Sequence, residues 1–268
     1  MKYQEIFDKL WQVYSAQNPG VKTVYDLLSA EGETIINDHV AFRTFDHPLI
    51  SIDVLSRPFI ENGYIQKGDY SFTEKKLFAR HFEHRNDLNA PRVFISQLIT
   101  SEFSPFVRKV VDEWVDAIPQ DKLASDELIR SGNLSSQPSF EVFEKLRKES
   151  EYAAWLYVNG FCANHFTVSV NGLKKYDTVF KVNAFVKQHG FMLNDVGGEI
   201  QGSPAELLEQ SSIKAGMVKA AFSEGAYEVP GCYYEFAKRY PDKDGRLYSG
   251  FIAKSADKIF QSTDYYSK

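Results

Sequence analysis

Two histidines and one glutamate are the residues of this sequence whose types and positions best suit metal chemistry. His39 lies in the segment NDHVAFRTF, His165 in ANHFTVSV and Glu235 in GCYYEFAKR. Two imidazoles and one carboxylate form a ligand set that leaves coordination positions open on a non-haem iron. A glutamate between aromatic residues is also costly to bury without a partner, and a cation supplies one. The sequence therefore predicts His39, His165 and Glu235 as catalytic metal ligands.

Side-chain alternation along strands predicts which groups share a face with these ligands. Residues two apart on a strand point to the same side, so His39, Ala41 and Arg43 share one face. His165 and Thr167 share a face of a second strand in the same way. Ala41 and Thr167 are small, which leaves space beside each imidazole. Arg43 is the cation on that face, although an ion pair with a neighbouring acid would explain it equally well.

Each proposed ligand also has an ordinary structural explanation. A single histidine on a strand is more often a hydrogen-bonded core or surface residue than a metal ligand. Glu235 alone could form a salt bridge with Lys238 or Arg239. The metal hypothesis is favoured because the two histidines occupy matched positions in a repeated pattern.

The repeated pattern is an order of predicted strands and helices, and these elements must position the proposed ligands. Apolar spacing and turn residues predict helices at 3–17 and 23–30. They then predict a strand at 38–45, a helix at 49–62 and strands at 64–70, 77–84 and 92–99. After amphipathic stretches at 103–150, the same order returns as a strand at 163–170, a helix at 174–188 and extended segments at 190–194, 212–222 and 231–239. The sequence thus predicts an α+β fold of two βαβββ modules that form a curved, barrel-like sheet around the metal site, with added helices.

Length and composition predict one globular domain. The chain has 268 residues, of which 43% are hydrophobic and 25% charged, as in ordinary soluble proteins. We expect a single domain over 1–268 with four segments: N-terminal helices at 1–34, the first module at 35–100, a helical insertion at 101–160, and the second module with its tail at 161–268.

Charge and cysteine content exclude several classes of partner. Lys and Arg total 31 against 36 for Asp and Glu, so no basic excess is present to bind a nucleic acid backbone. The sequence contains no run of about 18 apolar residues, so it predicts no membrane span. Two cysteines are too few for a disulfide framework, and the first residues lack the apolar run of a signal peptide. These features predict a cytoplasmic protein.

Four segments of the chain resemble the 2-oxoadipate dioxygenase/decarboxylase family, whose core is similar to vicinal oxygen chelate enzymes. They are NDHVAFRTF, ANHFTVSVNGL, VPGCYYEFAKRY and SGFIAKSADKIFQSTD. The resemblance implies Fe(II) held by His39, His165 and Glu235, with Arg43 holding the substrate. It also implies oxidative decarboxylation of 2-oxoadipate by O2 to 2-hydroxyglutarate and CO2, a step of lysine breakdown. A small 2-oxo acid and O2 are therefore the expected partners.

Two other classes of function stay open on the residues alone. A metal-dependent lyase or isomerase on the same scaffold would bind zinc or nickel and need no O2. A non-catalytic module would bind a small molecule in the same cavity without a metal. Oxygen uptake separates the first alternative from a dioxygenase, and metal analysis separates the second.

Overall fold

The computed structural model describes residues 2–265, so Met1 and residues 266–268 of the predicted 1–268 domain lie outside it. The helices are α1 (Tyr3–Gln17), α2 (Pro19–Ala30), α3 (Ile52–Leu55), α4 (Arg57–Glu61), α5 (Pro105–Asp116), α6 (Gln120–Leu123), α7 (Phe140–Glu149), α8 (Glu151–Asn159), α9 (Val179–Gln188) and α10 (Ala253–Ile259). The strands are β1 (Asn37–Phe45), β2 (Tyr64–Phe72), β3 (Leu77–His84), β4 (Arg92–Leu98), β5 (Ala163–Ser169), β6 (Gln201–Ser203), β7 (Leu208–Ser212), β8 (Met217–Phe222), β9 (Gly225–Pro230) and β10 (Tyr233–Arg239). None of the helices within 2–265 combines the length and apolarity needed to cross a membrane.

Eight strands form one curled sheet in the order β2-β3-β4-β1-β5-β10-β7-β6. At its centre β1 pairs antiparallel with β5, while β1 is parallel to β4 and β5 is parallel to β10. Outward from the centre, the halves read β1-β4-β3-β2 and β5-β10-β7-β6. In chain order, each half also has helix between its first two strands, that is, between β1 and β2 and between β5 and β6. The same connectivity in both halves confirms the predicted α+β fold of paired βαβββ modules.

The outer strands of the second module differ from the prediction. The sequence predicts one extended segment at 212–222, but β7 ends at Ser212, and β8 begins at Met217 in a separate hairpin with β9. The predicted segment at 190–194 supplies an isolated bridge rather than a sheet strand. Strand β7 reads LEQSS, and its polar residues Gln210, Ser211 and Ser212 are buried. It therefore lacks the apolar alternation by which a half-buried strand is recognised.

Helix α8, within the predicted insertion, packs against the strands that carry the proposed site. The Tyr152 hydroxyl accepts a hydrogen bond from the Thr44 amide at 3.0 Å and donates to the Ser96 carbonyl at 2.7 Å. The indole of Trp155 donates to the carbonyl of Gly231 at 2.8 Å. These bonds tie α8 to β1, to β4 and to the residues just before β10.

Helix α1 covers the opposite face of the central strands. The ring of Trp11 lies 5.7 Å from the ring of Tyr234 on β10, and the Tyr14 hydroxyl donates to the carbonyl of Tyr233. One face of β10 is therefore packed against α1. The other face, which carries Glu235, is left for the candidate site because side chains alternate along a strand.

Gly160, at the end of α8, is a position that only glycine fits. Its φ is +64°, and an added Cβ would lie 2.3 Å from the carbonyl oxygen of Gly132. We expect Gly160→Ala to cost about 1–3 kcal/mol for the backbone conformation and roughly 1–3 kcal/mol more for the overlap. Gly190→Ala is the matched control, because Gly190 has φ +84° but no atom within 4 Å of an added Cβ. Thermal unfolding should show the larger loss at Gly160, and equal losses would refute the steric explanation.

Candidate metal centre

The side chains of His39, His165 and Glu235 meet on one face of the sheet. They lie on β1, β5 and β10, which are neighbouring strands. One nitrogen of each imidazole and one carboxylate oxygen lie within 4.8 Å of one another. Nε2 of His39 is 3.6 Å from Oε1 of Glu235, and Nε2 of His165 is 3.1 Å from Oε2. The structure therefore brings together the three residues that the sequence predicts to converge.

Strand register explains why these side chains meet. His39 and Glu235 both stand opposite Thr167, on either side of β5. His165 lies two residues from Thr167 and therefore on the same face of β5. Ala41, opposite His165 on β1, is small and leaves space beside the imidazole. The cluster therefore comes from two adjacent rows across the sheet. One row contains His39, Thr167 and Glu235, and the other contains Ala41 and His165.

Burial and charge set the protonation states of the cluster. The exposed fractions of His39, His165 and Glu235 are 2%, 4% and 1%. Burial lowers the pKa of His165 below its ordinary value, which favours the neutral imidazole. Burial alone would raise the pKa of Glu235, but the neighbouring imidazoles and a hydrogen bond from Gln210 outweigh it, so the pKa lies below its ordinary value. A neutral imidazole and an ionised carboxylate are the forms that bind a divalent cation.

An aspartate and an arginine orient the first histidine. Nδ1 of His39 lies 2.8 Å from Oδ1 of Asp38, and Arg239 donates to both oxygens of Asp38, at 2.7 and 2.9 Å. Burial would raise the pKa of Asp38, but the charge of Arg239 and the bond with His39 hold it well below its usual range. A carboxylate behind a ligating imidazole fixes its tautomer and leaves Nε2 for the metal. Arg239 thus pairs with Asp38 and not with Glu235.

Two polar side chains also contact the proposed ligands: Gln210, which sequence reasoning missed, and Thr167, which it named only as a small neighbour on the same face. Nε2 of Gln210 donates to Oε1 of Glu235 at 2.6 Å, and the Thr167 hydroxyl lies 3.0 Å from Nε2 of His39. Oε2 of Glu235 makes no well-directed hydrogen bond within residues 2–265, although Nε2 of His165 lies 3.1 Å away. A buried carboxylate oxygen left in this way, with imidazole nitrogens beside it, fits a bound cation. Alternation along β5 placed Thr167 beside the imidazoles, whereas Gln210 lies on the polar strand β7, which the sequence pattern does not reveal.

Removing the charge of Asp38 is expected to weaken metal binding. Asp38→Asn keeps the shape of the side chain but takes the anionic partner from His39 and leaves Arg239 without its counter-ion. We expect metal affinity to fall about 10- to 100-fold, measured by competition with a chelator. Asp53→Asn is the control, because the Asp53 side chain is 78% exposed and pairs with Arg80 at the surface. Equal affinity of both variants would exclude this role for Asp38.

Arg43 lies beside the cluster, and its partners come from outside β1. Nη1 is 3.4 Å from both carboxylate oxygens of Glu151, and Nη2 donates to the Phe260 carbonyl at 3.3 Å and to the Thr263 hydroxyl at 2.9 Å. Two aromatic rings of α8 each lie 4.9 Å from the guanidinium carbon. The Nε–H of Arg43 has no acceptor among the described residues. The acid that faces Arg43 is therefore Glu151, and one donor of the guanidinium is left for a ligand.

Phe260 contributes to the lining of two cavities. The smaller, of about 20 Å³, contains the three proposed ligands together with Gln210, Tyr233, Phe94, Phe251, Ala256, Ile259 and Phe260. The larger, of about 540 Å³, has Arg43, Glu151, Tyr152 and Phe260 in its lining. Phe260 is thus shared by the small pocket of the proposed ligands and the larger, charged cavity that reaches Arg43.

Comparison with known proteins assigns the chain to a family. The family model of 2-oxoadipate dioxygenase/decarboxylase matches residues 3–246. The Arabidopsis thaliana protein named 2-oxoadipate dioxygenase/decarboxylase, chloroplastic, is 34% identical over 286 aligned positions, which cover 97% of this chain and 77% of the relative. The structure of hydroxyglutarate synthase from Oryza sativa in complex with 2-oxoadipate is 32% identical, with a TM-score of 0.92, covering 98% of this chain and 92% of that one. A structure from Shewanella frigidimarina described as a candidate hydrolase is 44% identical, with a TM-score of 0.88, covering 93% of this chain and 97% of that one. From the family model and the Arabidopsis relative together, the chain belongs to the 2-oxoadipate dioxygenase/decarboxylase family.

Proposed function

We propose that this chain is an iron(II)-dependent dioxygenase that oxidatively decarboxylates a 2-oxo dicarboxylic acid. The proposed substrate is 2-oxoadipate, which reacts with O2 to give 2-hydroxyglutarate and CO2, a step of lysine breakdown. The observation that carries the proposal is the buried cluster of His39, His165 and Glu235 in a chain of this family. The rice relative, whose structure holds 2-oxoadipate, supports the same substrate class.

The donor set fits iron(II) in both chemistry and charge. Iron(II) held by His39, His165 and Glu235 would supply the redox chemistry that O2 activation needs. Since the three side chains bring one negative charge, a divalent ion leaves the site with a net positive charge. That charge favours an anionic 2-oxo acid. Asp38 keeps Nε2 of His39 directed at the site through its bond to Nδ1.

Arg43 is the residue proposed to hold the distal carboxylate of the substrate. It lies four residues from His39, roughly 13 Å along the strand, and its long side chain spans part of that distance. The guanidinium is permanently charged and forked, which suits a carboxylate better than an ammonium group does. Its free Nε–H and its position in the lining of the larger cavity support this role. Glu151, 3.4 Å from Nη1, balances part of its charge.

Aromatic side chains are proposed to exclude water from the reacting end of the substrate. Phe94, Phe251 and Phe260 line the metal pocket, and the Phe251 ring lies 4.8 Å from the His39 imidazole. Exclusion of water strengthens electrostatic interactions and limits side reactions. Since Phe260 lines both this pocket and the larger cavity, the proposed route of entry leads past its side chain.

Parallel metal loading tests the proposal against its alternatives. The purified protein is loaded under nitrogen with iron(II), zinc or nickel, and each form receives a panel of 2-oxo acids with and without O2. We expect the iron form alone to convert 2-oxoadipate, and only with O2. Conversion by the zinc or nickel form without O2 would indicate the lyase or isomerase. Failure to retain any of the three metals would indicate the metal-free binding module.

The proposal also includes the segment boundaries and the cellular location. A single domain with segments at 1–34, 35–100, 101–160 and 161–268 rests on the repeated strand order. The cytoplasmic location rests on the composition and the two cysteines. The word chloroplastic in the name of the Arabidopsis relative describes the location of that plant protein.

A further inference from the structure

The hydroxyl of Tyr233 is a buried donor without a partner in the candidate metal pocket. Tyr233 is 0% exposed, and its hydroxyl has no hydrogen-bond partner among residues 2–265. Its ring stacks on the His165 imidazole, with the centroids 4.6 Å apart and the planes 28° from parallel. Buried polar groups are rarely left unpaired in native structures, because an unmade hydrogen bond is costly. Since Tyr233 also lines the pocket of the proposed metal ligands, a ligand bound there can supply the missing acceptor.

Strand register places Tyr233 in the row of His165, one row nearer to Arg43 than His39 and Glu235 are. Tyr233 stands opposite His165, and His165 stands opposite Ala41. These three residues form a row beside the row that contains His39. Arg43 lies two residues beyond Ala41 on the same face and on the side away from His39. A substrate that joins the metal ligands to Arg43 must therefore cross the row that contains Tyr233.

Arg43 brings a second unpartnered donor to the same face of the sheet. Its Nε–H is buried and has no acceptor among residues 2–265. Its position two residues beyond Ala41 puts it on the face that carries His165 and Tyr233.

We propose that the Tyr233 hydroxyl and the Nε–H of Arg43 donate together to the distal carboxylate of the bound 2-oxo acid. This inference rests on the proposed function, because it adds a substrate-binding residue to the same site. A carboxylate offers about four lone-pair positions and accepts both bonds. The 2-oxo end of the substrate belongs at the metal ligands, so the distal carboxylate is the acceptor left for these two donors. Tyr233 is then a specificity residue that distinguishes dicarboxylic from monocarboxylic substrates.

Calorimetry under nitrogen tests this assignment on the iron-loaded protein without requiring turnover. The ligands are 2-oxoadipate and 2-oxohexanoate, which has the same carbon chain but no distal carboxylate. We expect Tyr233→Phe to raise the Kd of 2-oxoadipate about tenfold, equivalent to about 1.4 kcal/mol, and to leave the Kd of 2-oxohexanoate unchanged. Tyr234→Phe is the matched control, since its hydroxyl is equally buried and unpartnered but lies on the α1 side of β10. It should change neither Kd.

The possible outcomes separate this inference from the proposed function. Equal weakening of both acids by Tyr233→Phe, or no weakening of either, would overturn the assignment of Tyr233 to the distal carboxylate. If the wild-type protein, loaded with metal, bound neither acid, the proposed function itself would fail. A crystal structure of the wild-type complex with 2-oxoadipate gives a test that needs no variant. The phenol oxygen should lie within hydrogen-bond distance of a distal carboxylate oxygen, and a longer separation would refute the inference.

Discussion

Alanine in place of His165 is expected to leave the protein without bound iron and without turnover. The substitution removes one of the three donors that lie within 4.8 Å of one another. It also leaves the buried Glu235 carboxylate without the imidazole nitrogen that now lies 3.1 Å from Oε2. Metal analysis after anaerobic iron loading should give background iron content, and oxygen uptake with 2-oxoadipate should fall to background with it.

His189→Ala provides the control for this experiment. His189 is exposed at the end of α9, where its Nδ1 lies 2.9 Å from the Phe185 carbonyl oxygen. This variant should bind iron and turn over like the wild type. Full iron content with normal turnover in His165→Ala would show that the ligand set is wrong.

Arg43→Ala is expected to have the second largest effect, a selective loss of activity on dicarboxylic substrates. A hydrogen bond to a charged group contributes about 1.5–3 kcal/mol, which corresponds to roughly a ten- to hundredfold decrease in kcat/KM for 2-oxoadipate. Activity on 2-oxohexanoate should fall much less, and iron content should stay unchanged. Arg43→Lys should recover part of the loss, because a single ammonium cannot reproduce the forked guanidinium.

The other contacts of Arg43 require a control for structural effects. Its guanidinium also holds the Phe260 carbonyl and the Thr263 hydroxyl, so truncation loosens the segment that covers the pocket. Thr263→Val removes one of these bonds and leaves the charge of Arg43 in place, and it should preserve the preference for 2-oxoadipate. Equal loss of activity of Arg43→Ala on both acids, together with a lower Tm, would indicate that Arg43 is structural.

The paired modules could be predicted because their strands alternate clearly and each histidine strand leads into a helix that ends at a glycine. The outer strands of the second module could not. Strand β7 carries buried polar side chains where it faces the site, so it lacks an apolar pattern. Strand β8 alternates along its length but pairs with β9 outside the main sheet. Periodicity reports that a segment is extended, and it does not report which strand lies beside it.

The same limit explains which site residues were found. Alternation placed His39, His165 and Glu235 on defined faces, and the repeat suggested that those faces meet. Asp38 pairs with Arg239 across 201 positions of sequence. Such a pair depends on tertiary contacts that strand periodicity does not encode. Alternation along β10 also places Tyr233 on the face of Glu235, but it does not show that the hydroxyl lacks a partner.

The helical insertion was the other source of site residues that the sequence did not reveal. Glu151 faces Arg43 across 108 positions of sequence, and it comes from a stretch in which no catalytic motif is visible. A helix between two modules has no fixed position relative to either module until its apolar face packs. The buried residues of α8 determine that packing, and they place Glu151 at the guanidinium as a consequence.

The stoichiometry of the reaction tests the central proposal most directly. Iron-loaded protein is mixed with 2-oxoadipate and a measured amount of O2, and consumed O2, released CO2 and 2-hydroxyglutarate are counted in the same sample. Conversion of 2-oxoadipate and O2 to 2-hydroxyglutarate and CO2 balances with equal amounts of all four, so we expect equal molar quantities and no conversion under nitrogen. Decarboxylation that proceeds without O2, or O2 uptake that yields no 2-hydroxyglutarate, would contradict the assignment of this chain as a 2-oxoadipate dioxygenase.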